Sequence, residues 1–316
     1  MIQKINEKQN ILGDNIGFVE NWDFSRANLN EENRILAITQ VASICYQNPK
    51  ALGSESLYNR LAAESQGLPS SSFEFVPVLL DTHKARHKEI LYDSHILSNI
   101  YKYGEEIANK YILTNYRAIY YDYEQKIKEI KEYYNSTVAS PENDINYHED
   151  LKILKERYLG LFNTEEECEI IKEHFKVFLF KVDFPTRSQM VRHRISWQEL
   201  SRRYVSGKRV PFEYYISEKL KGFSAEIGEE SYDAEPIKTS INDLIKYNEN
   251  MYYALLDAGV KPQEARRVIP QMGYTQIWGA FQPKQLDNYF KLRLDEHSQW
   301  EIRQTAIAMK ELIEAK

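Results

Sequence analysis

Cysteine is nearly absent from this chain, with Cys45 and Cys168 the two among 316 residues. They allow at most one bridge and have no metal-ligand spacing, which excludes a disulfide framework and a cysteine-based metal site and fits a reducing compartment. Long apolar runs are missing as well. No stretch approaches the roughly 20 residues that a membrane-spanning helix needs. The segment from Met1 to Glu7 lacks the apolar core of a signal peptide, so the sequence reads as cytoplasmic, with no membrane partner and no bound metal. Nor is there an excess of positive charge. The 41 Lys and Arg are outnumbered by 47 Asp and Glu, giving a net charge of −6. That balance argues against nucleic acid bound over the whole surface but is compatible with a local basic cleft. The triplet Asn135-Ser136-Thr137 matters as a glycosylation acceptor only in a secreted chain, which this does not resemble.

What is present suffices to bury a large core, in one elaborate domain or in two. Apolar residues at Ile35, Ile38, Val41 and Ile44, and again at Leu57, Leu61 and Ala62, predict helix, turn and helix over residues 31–66, with Asn48-Pro49 and Gly53 between. The run from Gly67 to Ser72 breaks the pattern, and Phe73 to Leu80 predicts a strand. From His83 to Lys172 the composition shifts to Lys, Glu and Tyr, with twelve of the 23 tyrosines. The spacings Ile90, Ile96, Ile100 and Ile107, Ile112, Ile119 predict long amphipathic helices there. The break at Ser140-Pro141 makes two arms a hairpin joined near residues 136–146. Phe175 to Phe184 is the clearest strand, ending at Pro185 and expected beside the first strand. A helix is expected near 236–257, and a second that includes Arg266 and stops around Pro270 and Gly273. Residues 284–314 read as one long helix burying Ile302, Ala306, Met309 and Ile313, on which Arg293, His297 and Glu301 share a polar face.

Residues 189–204 are the most chemically loaded stretch, crowding four arginines, a histidine and a glutamate into sixteen positions. Guanidinium groups present fixed forks of donors that match phosphate and the edge of a pyrimidine, so this density points to an anionic, planar ligand such as a nucleotide.

Within it, Arg192-His193-Arg194, six residues, and Ser201-Arg202-Arg203-Tyr204 resemble the signature of the flavin-dependent thymidylate synthases. That signature is Arg-His-Arg, seven variable residues and Ser, usually continued as Ser-x-Arg-Tyr; the spacing here is one residue shorter. A second block is similar to the family in order and spacing: Glu264-Ala265-Arg266-Arg267-Val268-Ile269-Pro270, Tyr274-Thr275, and Leu292 through Ile302 with Arg293, Asp295, His297, Gln299, Trp300 and Glu301. The resemblance covers residues 172–316 well and 30–80 weakly. It implies one domain over 1–316, interrupted by a helical insertion at 82–171, with an α/β (α+β) fold of antiparallel or mixed sheet and long helices. It also implies a homotetramer whose sites draw on more than one subunit. The implied reaction is reductive methylation of dUMP to dTMP, with methylenetetrahydrofolate as carbon donor and NADPH as reductant through FAD, which carries the hydride chemistry. The family uses no enzyme cysteine as nucleophile. Neither Ile44-Cys45-Tyr46 nor Glu167-Cys168-Glu169 offers the Pro-Cys context of the other thymidylate synthase class.

By the same resemblance, Gln189, Arg192, Glu199, Leu200, Ser201, Arg202, Arg203, Arg266 and Arg293 fall on nucleotide-binding positions. Ser201 and Arg203 lie near the phosphate and Arg293 at the pyrimidine ring; Arg293, Ser201 and Arg192 form the catalytic set. His193, Arg194, Asn288 and His297 match flavin contacts, and Gln282 and Lys284 stand where the family often has Asn and Arg. A lysine does not reproduce a guanidinium fork. The family's early His-x-x-Pro-x-Glu-His pattern is matched in part by Gly67 to Phe75, which lacks both histidines and offers Ser71, Ser72 and Glu74; a rival register uses Glu173-His174. Cys45 falls near a small flavin-touching residue, or is a buried apolar thiol. Three other readings stay open. One is a same-fold methylase or hydroxymethylase of another pyrimidine nucleotide such as UMP. Another is a nucleic-acid-binding module stacking bases on its tyrosines. The third is a scaffold that binds neither flavin nor nucleotide.

Overall fold

The computed structural model describes residues 2–5, 9–12, 17–63, 69–91, 104–227 and 237–315. In chain order, β1 (Gln3–Lys4), β2 (Gln9–Ile11) and β3 (Gly17–Asp23) lead into α1 (Glu31–Tyr46) and α2 (Glu55–Ala62). Next come β4 (Pro77–Asp81), α3 (Ala85–Leu91), β5 (Glu105–Ile107) and β6 (Tyr111–Asn115), then α4 (Tyr116–Thr137), α5 (Ile145–Tyr158) and α6 (Glu165–His174). β7 (Lys176–Asp183), α7 (Phe184–Met190) and β8 (Ser196–Glu199) carry the arginine-rich stretch. After β9 (Ser224–Ile227) and β10 (Ile237–Ser240) follow α8 (Ile241–Asp257), α9 (Pro262–Ala265), β11 (Tyr274–Phe281), α10 (Pro283–Arg293) and α11 (Trp300–Glu314).

The main sheet runs β1-β3-β7-β11-β8, with β2 also on β3, and its pairings are antiparallel. Its centre is the β7–β11 pair, in register from Lys176↔Phe281 to Asp183↔Tyr274. Period-two alternation assigns each side chain a face. Val177, Trp278 and Ala280 join Ile38, Val41, Phe73 and Tyr116 in one core. Phe178, Phe180, Ile277 and Phe281 join Tyr289, Ile302 and Met309 in the other. Helices therefore cover both faces, which is why apolar residues follow one another without alternation at Val177-Phe178-Leu179-Phe180 of β7 and from Ile277 to Phe281 of β11. Among the described residues, no helix is long and apolar enough to cross a membrane.

The expected helix, turn and helix are present as α1 and α2. Asn30 caps α1 by accepting from Asn33 N at 2.8 Å, and Gln47, with φ 48°, ends it. The expected hairpin is also present, as α4 and α5 around a 3-10 turn at Pro141–Asn143. It is anchored by a buried cation. Arg34 of α1 donates to Asn28 Oδ1, Tyr116 Oη, Leu159 O and Leu161 O, at 2.6–2.9 Å, and its guanidinium lies 3.9 Å from the Tyr116 ring centroid. Tyr58, Phe73 and Tyr116 stack in series.

Several expectations are corrected. Ile107 and Ile112 lie on strands, not a helix: β5 and β6 extend β4 into a separate three-stranded sheet, turning at Ala108 and Asn109, both with φ 53°. Ile96 and Ile100 lie outside the described residues, as do Gly67 and Leu68. Phe73 to Phe75 form a 3-10 helix, so the strand starts at Pro77. β4 is not the neighbour of β7, which pairs with β3 and β11. The helix expected over 284–314 is broken between Arg293 and Trp300. There the Asp295 side chain accepts from His297 N at 2.8 Å and Ser298 Oγ donates to Leu292 O at 2.7 Å, local bonds that compete with the helical ladder. Arg293, His297 and Glu301 accordingly do not share one helical face. The helix expected near 236 begins at Ile241, and Arg266 sits in a 3-10 turn after α9 rather than in a helix.

Candidate functional site

Asp183 caps α7 by accepting from Thr186 N, and Pro185 occupies its first turn, so the helix springs directly from the end of β7. Beyond Met190 the chain tightens. His193 N reaches Met190 O at 3.0 Å, and His193 O accepts from Ile195 N at 2.9 Å and from Trp197 Nε1 at 3.0 Å. This turn leaves Arg192 and Arg194 exposed and buries His193 against Tyr289, ring centroids 4.7 Å apart. From the end of α10, Arg293 Nε donates to His193 Nε2 at 2.8 Å, and its Nη2 donates to Gln189 O at 3.2 Å. The bond sets the tautomer: Nε2 accepts, so Nδ1 carries the proton. Burial, then the adjacent Arg293, push the His193 pKa down to about 4. Gln189 in turn donates to Gln299 Oε1 at 2.6 Å.

The second half of the motif hangs on β11 and α1. Glu199 accepts from both arms of Arg187, the Nε bond being 2.8 Å, and from Thr275 Oγ1 at 3.0 Å. Leu200 N donates to Gln276 O at 2.9 Å, and Ser201 N to Cys45 O at 3.2 Å. Arg202 is committed to its own loop: it is buried, donates to Val210 O at 2.5 Å and Pro211 O at 3.3 Å, and lies over the Phe212 ring. Burial lowers its pKa, and its Nε has no partner among the described residues. Arg203 is exposed above the Tyr204 ring, and Arg266 is exposed with Nε on Gln263 O. The structure thus joins Gln189 and Arg293 directly and fixes Glu199, Leu200 and Ser201 along one sheet edge. It leaves Arg192, Arg203 and Arg266 at the surface.

Among the expected flavin contacts, Glu74, Arg194 and Gln282 line one cavity of about 390 Å3, with Asn115, Phe175 and Gln285. Glu74 also pairs with Arg117. Ser71 donates to Gln198, whose Nε2 donates to Cys45 Sγ at 2.8 Å, so Cys45 bridges to the motif strand. Ser72 Oγ is buried without a partner among the described residues. Glu173 and His174, the rival register, end α6 just before Phe175. Lys284, Asn288 and His297 are exposed; Lys284 N donates to Glu105, and His297 Nδ1 lies 2.9 Å from Asp295 Oδ1. The cavity's arginine, three amides and carboxylate form a donor and acceptor set that fits the polar rim of a flavin cofactor. Among the described residues no cluster suits a metal ion. Sequence reasoning missed Arg187, Gln285 and Gln299. Arg187 stood two residues before Gln189, but nothing in its context signalled its tie to Glu199.

The sequence model of the family described as Thymidylate synthase complementing protein matches residues 169–316. The chain is 30% identical over 199 residues to the flavin-dependent thymidylate synthase of Thermosipho melanesiensis, an alignment covering 60% of this chain and 80% of that protein. The Thermosipho africanus enzyme of the same name is 32% identical over the same shares. For that of Thermotoga neapolitana the identity is 35% over 147 residues, 46% of this chain and 64% of the relative. Among solved structures, a UMP/dUMP methylase from Streptomyces cacaoi bound with 5-Br dUMP aligns with a TM-score of 0.35 and 22% identity, covering 45% of this chain and 66% of that one.

Proposed function

We propose, from the premise that this chain belongs to the flavin-dependent thymidylate synthase family, that it methylates dUMP to dTMP, with methylenetetrahydrofolate as carbon donor and NADPH as reductant. FAD, when bound, supplies the hydride chemistry. The observation that carries the reading is the junction of the two motif blocks, Arg293 of one against His193 and Gln189 of the other.

In this reading the chain's own groups bind and orient. Arg293 is held from behind by His193 and Gln189, which aims its guanidinium without neutralising it, since neither partner is an anion. That leaves a full positive charge for the pyrimidine carbonyls. Ser201, fixed through its backbone to Cys45, and exposed Arg203 serve the phosphate, with Arg192 and Arg266 as further cations. Glu199, clamped by Arg187 and Thr275, sets the end of β8 and orients the following turn. The cavity lined by Glu74, Arg194 and Gln282 would hold flavin, and His193, His297, Asn288 and Lys284 are further flavin contacts by their match to the family's positions. Exposed Arg192, Arg203 and Arg266 fit a homotetramer whose sites are completed between copies, and exposed Leu244, Tyr247 and Met251 on α8 give an apolar stripe for such contact. The protein works in the cytoplasm as one domain in which residues 82–171 are an elaboration docked through Arg34.

The test is the absorbance of the purified protein after loading with FAD and gel filtration. Retained flavin that NADPH bleaches anaerobically in the presence of dUMP, and that recovers with dTMP formed on adding methylenetetrahydrofolate, is the expected result. Loss of the flavin on the column, or turnover of UMP in place of dUMP, would overturn it.

A further inference from the structure

We propose that a basic cleft between α1, α2 and the loop following Arg202 binds a phosphomonoester-bearing adenosine, the 2′-phosphate end of the NADPH that the proposed reaction consumes. The inference rests on that reading and adds to it a place for the reductant. The cleft holds about 500 Å3, within the range of small-molecule sites. Lys50, Arg60 and Arg209 face it, and among the described residues no carboxylate lines it. In a chain of net charge −6, three cations gathered without an acid make a local site for an anion.

The geometry suits a phosphate on a sugar more than a bare ion. Ser54 caps α2 by accepting from Leu57 N at 3.2 Å, and Ser56 and Arg60, four residues apart, rise on one face of that helix. A hydroxyl and a guanidinium fork thus line the same side of α2, and both suit the oxygens of a phosphate. Arg209 is pre-positioned by donating to Gln47 O at 3.0 Å. Tyr46 supplies a planar wall for a base and is itself packed on Tyr204, ring centroids 5.4 Å apart. Because Ser201 N is bonded to Cys45 O, the cleft abuts the motif.

The other cavities suit a phosphomonoester less well. The larger one, about 740 Å3, offsets Lys219 and Lys221 with Glu218 and Glu301. The flavin cavity contains Glu74.

The experiment is isothermal titration of the FAD-loaded protein and its Lys50→Gln/Arg60→Gln variant. The probes are adenosine 2′,5′-bisphosphate, 5′-AMP, inorganic phosphate and tri-γ-glutamate. The wild type is expected to bind the bisphosphate about tenfold or more tightly than 5′-AMP or phosphate, and the variant to lose that preference. The variant's melting temperature and dUMP affinity should be unchanged, because both residues are exposed. Equal binding of the two adenosine nucleotides by the wild type, or an undiminished preference in the variant, would overturn the proposal. So would a variant that loses tri-γ-glutamate or dUMP instead, which would assign the cleft to a folate tail or to the substrate phosphate. FAD retention and dUMP binding on the same preparation read the functional proposal separately. Their failure, with the bisphosphate preference intact, would leave the cleft as an adenosine phosphate site in a protein of other activity.

Discussion

Arg293 Nε and His193 Nε2, 100 residues apart in sequence, lie 2.8 Å from each other. A guanidinium has only donors, so the imidazole must accept and stay neutral. Burial is the larger cause of its depressed pKa and Arg293 the smaller. Arg293→Gln should therefore raise the His193 pKa from about 4 without restoring the ordinary 6.5. Histidine ring NMR titration of the ligand-free protein checks this, and an unmoved pKa would mean that the two side chains do not meet. The same variant should abolish turnover while leaving the fold intact.

The depressed pKa also sets a direction for stability. Above pH 6.5 His193 is neutral whether the chain is folded or not, and its contribution is full. As pH falls from 6.5 to about 4, the unfolded chain takes up the proton and the folded one does not, so stability is lost across that window. The stability difference between wild type and His193→Gln, from urea melts at pH 7.5, 5.5 and 4.5, should shrink as the solution is acidified. A difference that grows would contradict a neutral buried imidazole.

These relationships were only partly legible in the sequence. β7 was readable because Val177, Phe178, Phe180 and Val182 are apolar on both faces, and the motif blocks were readable as motifs. The break after Arg293 was not, since no glycine or proline marks it between Leu294 and Trp300 and it is made by local side-chain bonds such as that of Asp295 to His297 N. The β5–β6 turn was hidden because Ala108-Asn109 lacks the glycine that usually marks left-handed turns. Arg202 looked like Arg203 in sequence, yet one is buried on Val210 O and the other is exposed. Which of two adjacent arginines faces a ligand is decided by a loop that packs only in three dimensions.

Arg187 and Glu199 should prove energetically coupled. The carboxylate accepts from both arms of the guanidinium and from Thr275, and neither charged side chain is fully exposed. Arg187→Ala and Glu199→Gln should each weaken dUMP binding, and the double variant should be little worse than either. A double-mutant cycle on dUMP affinity is expected to give a coupling of about 1–3 kcal/mol. Simple additivity would show that Glu199 meets the nucleotide independently of Arg187.

Arg34 holds the tyrosine-rich hairpin without a carboxylate partner, through Asn28 Oδ1, Tyr116 Oη and two main-chain carbonyls. Arg34→Met keeps apolar bulk and removes the donors. Each buried acceptor left unpaired costs about 1–3 kcal/mol, so a loss of about 3 kcal/mol or more is expected in urea unfolding. Nucleotide affinity measured well below the unfolding transition should be preserved. Affinity that falls in step with stability would instead link the hairpin to the site.

Gly279 faces Trp197 across the β11–β8 pair. A Cβ there would lie 2.6 Å from Trp197 Cζ3 and 3.2 Å from Phe281 Cε2, so the indole must move. It is not free to move without consequence, because Trp197 Nε1 donates to His193 O at 3.0 Å and so fixes the turn that presents His193 to Arg293. Gly279→Ala is expected to cost about 1–3 kcal/mol through overpacking and to lower dUMP affinity at a position that touches no ligand. Trp197→Phe, which removes the donor but relieves the crowding, should restore stability to the Gly279→Ala background without restoring affinity. If both recover together, packing alone accounts for the glycine; if stability alone recovers, the indole N–H positions the motif turn.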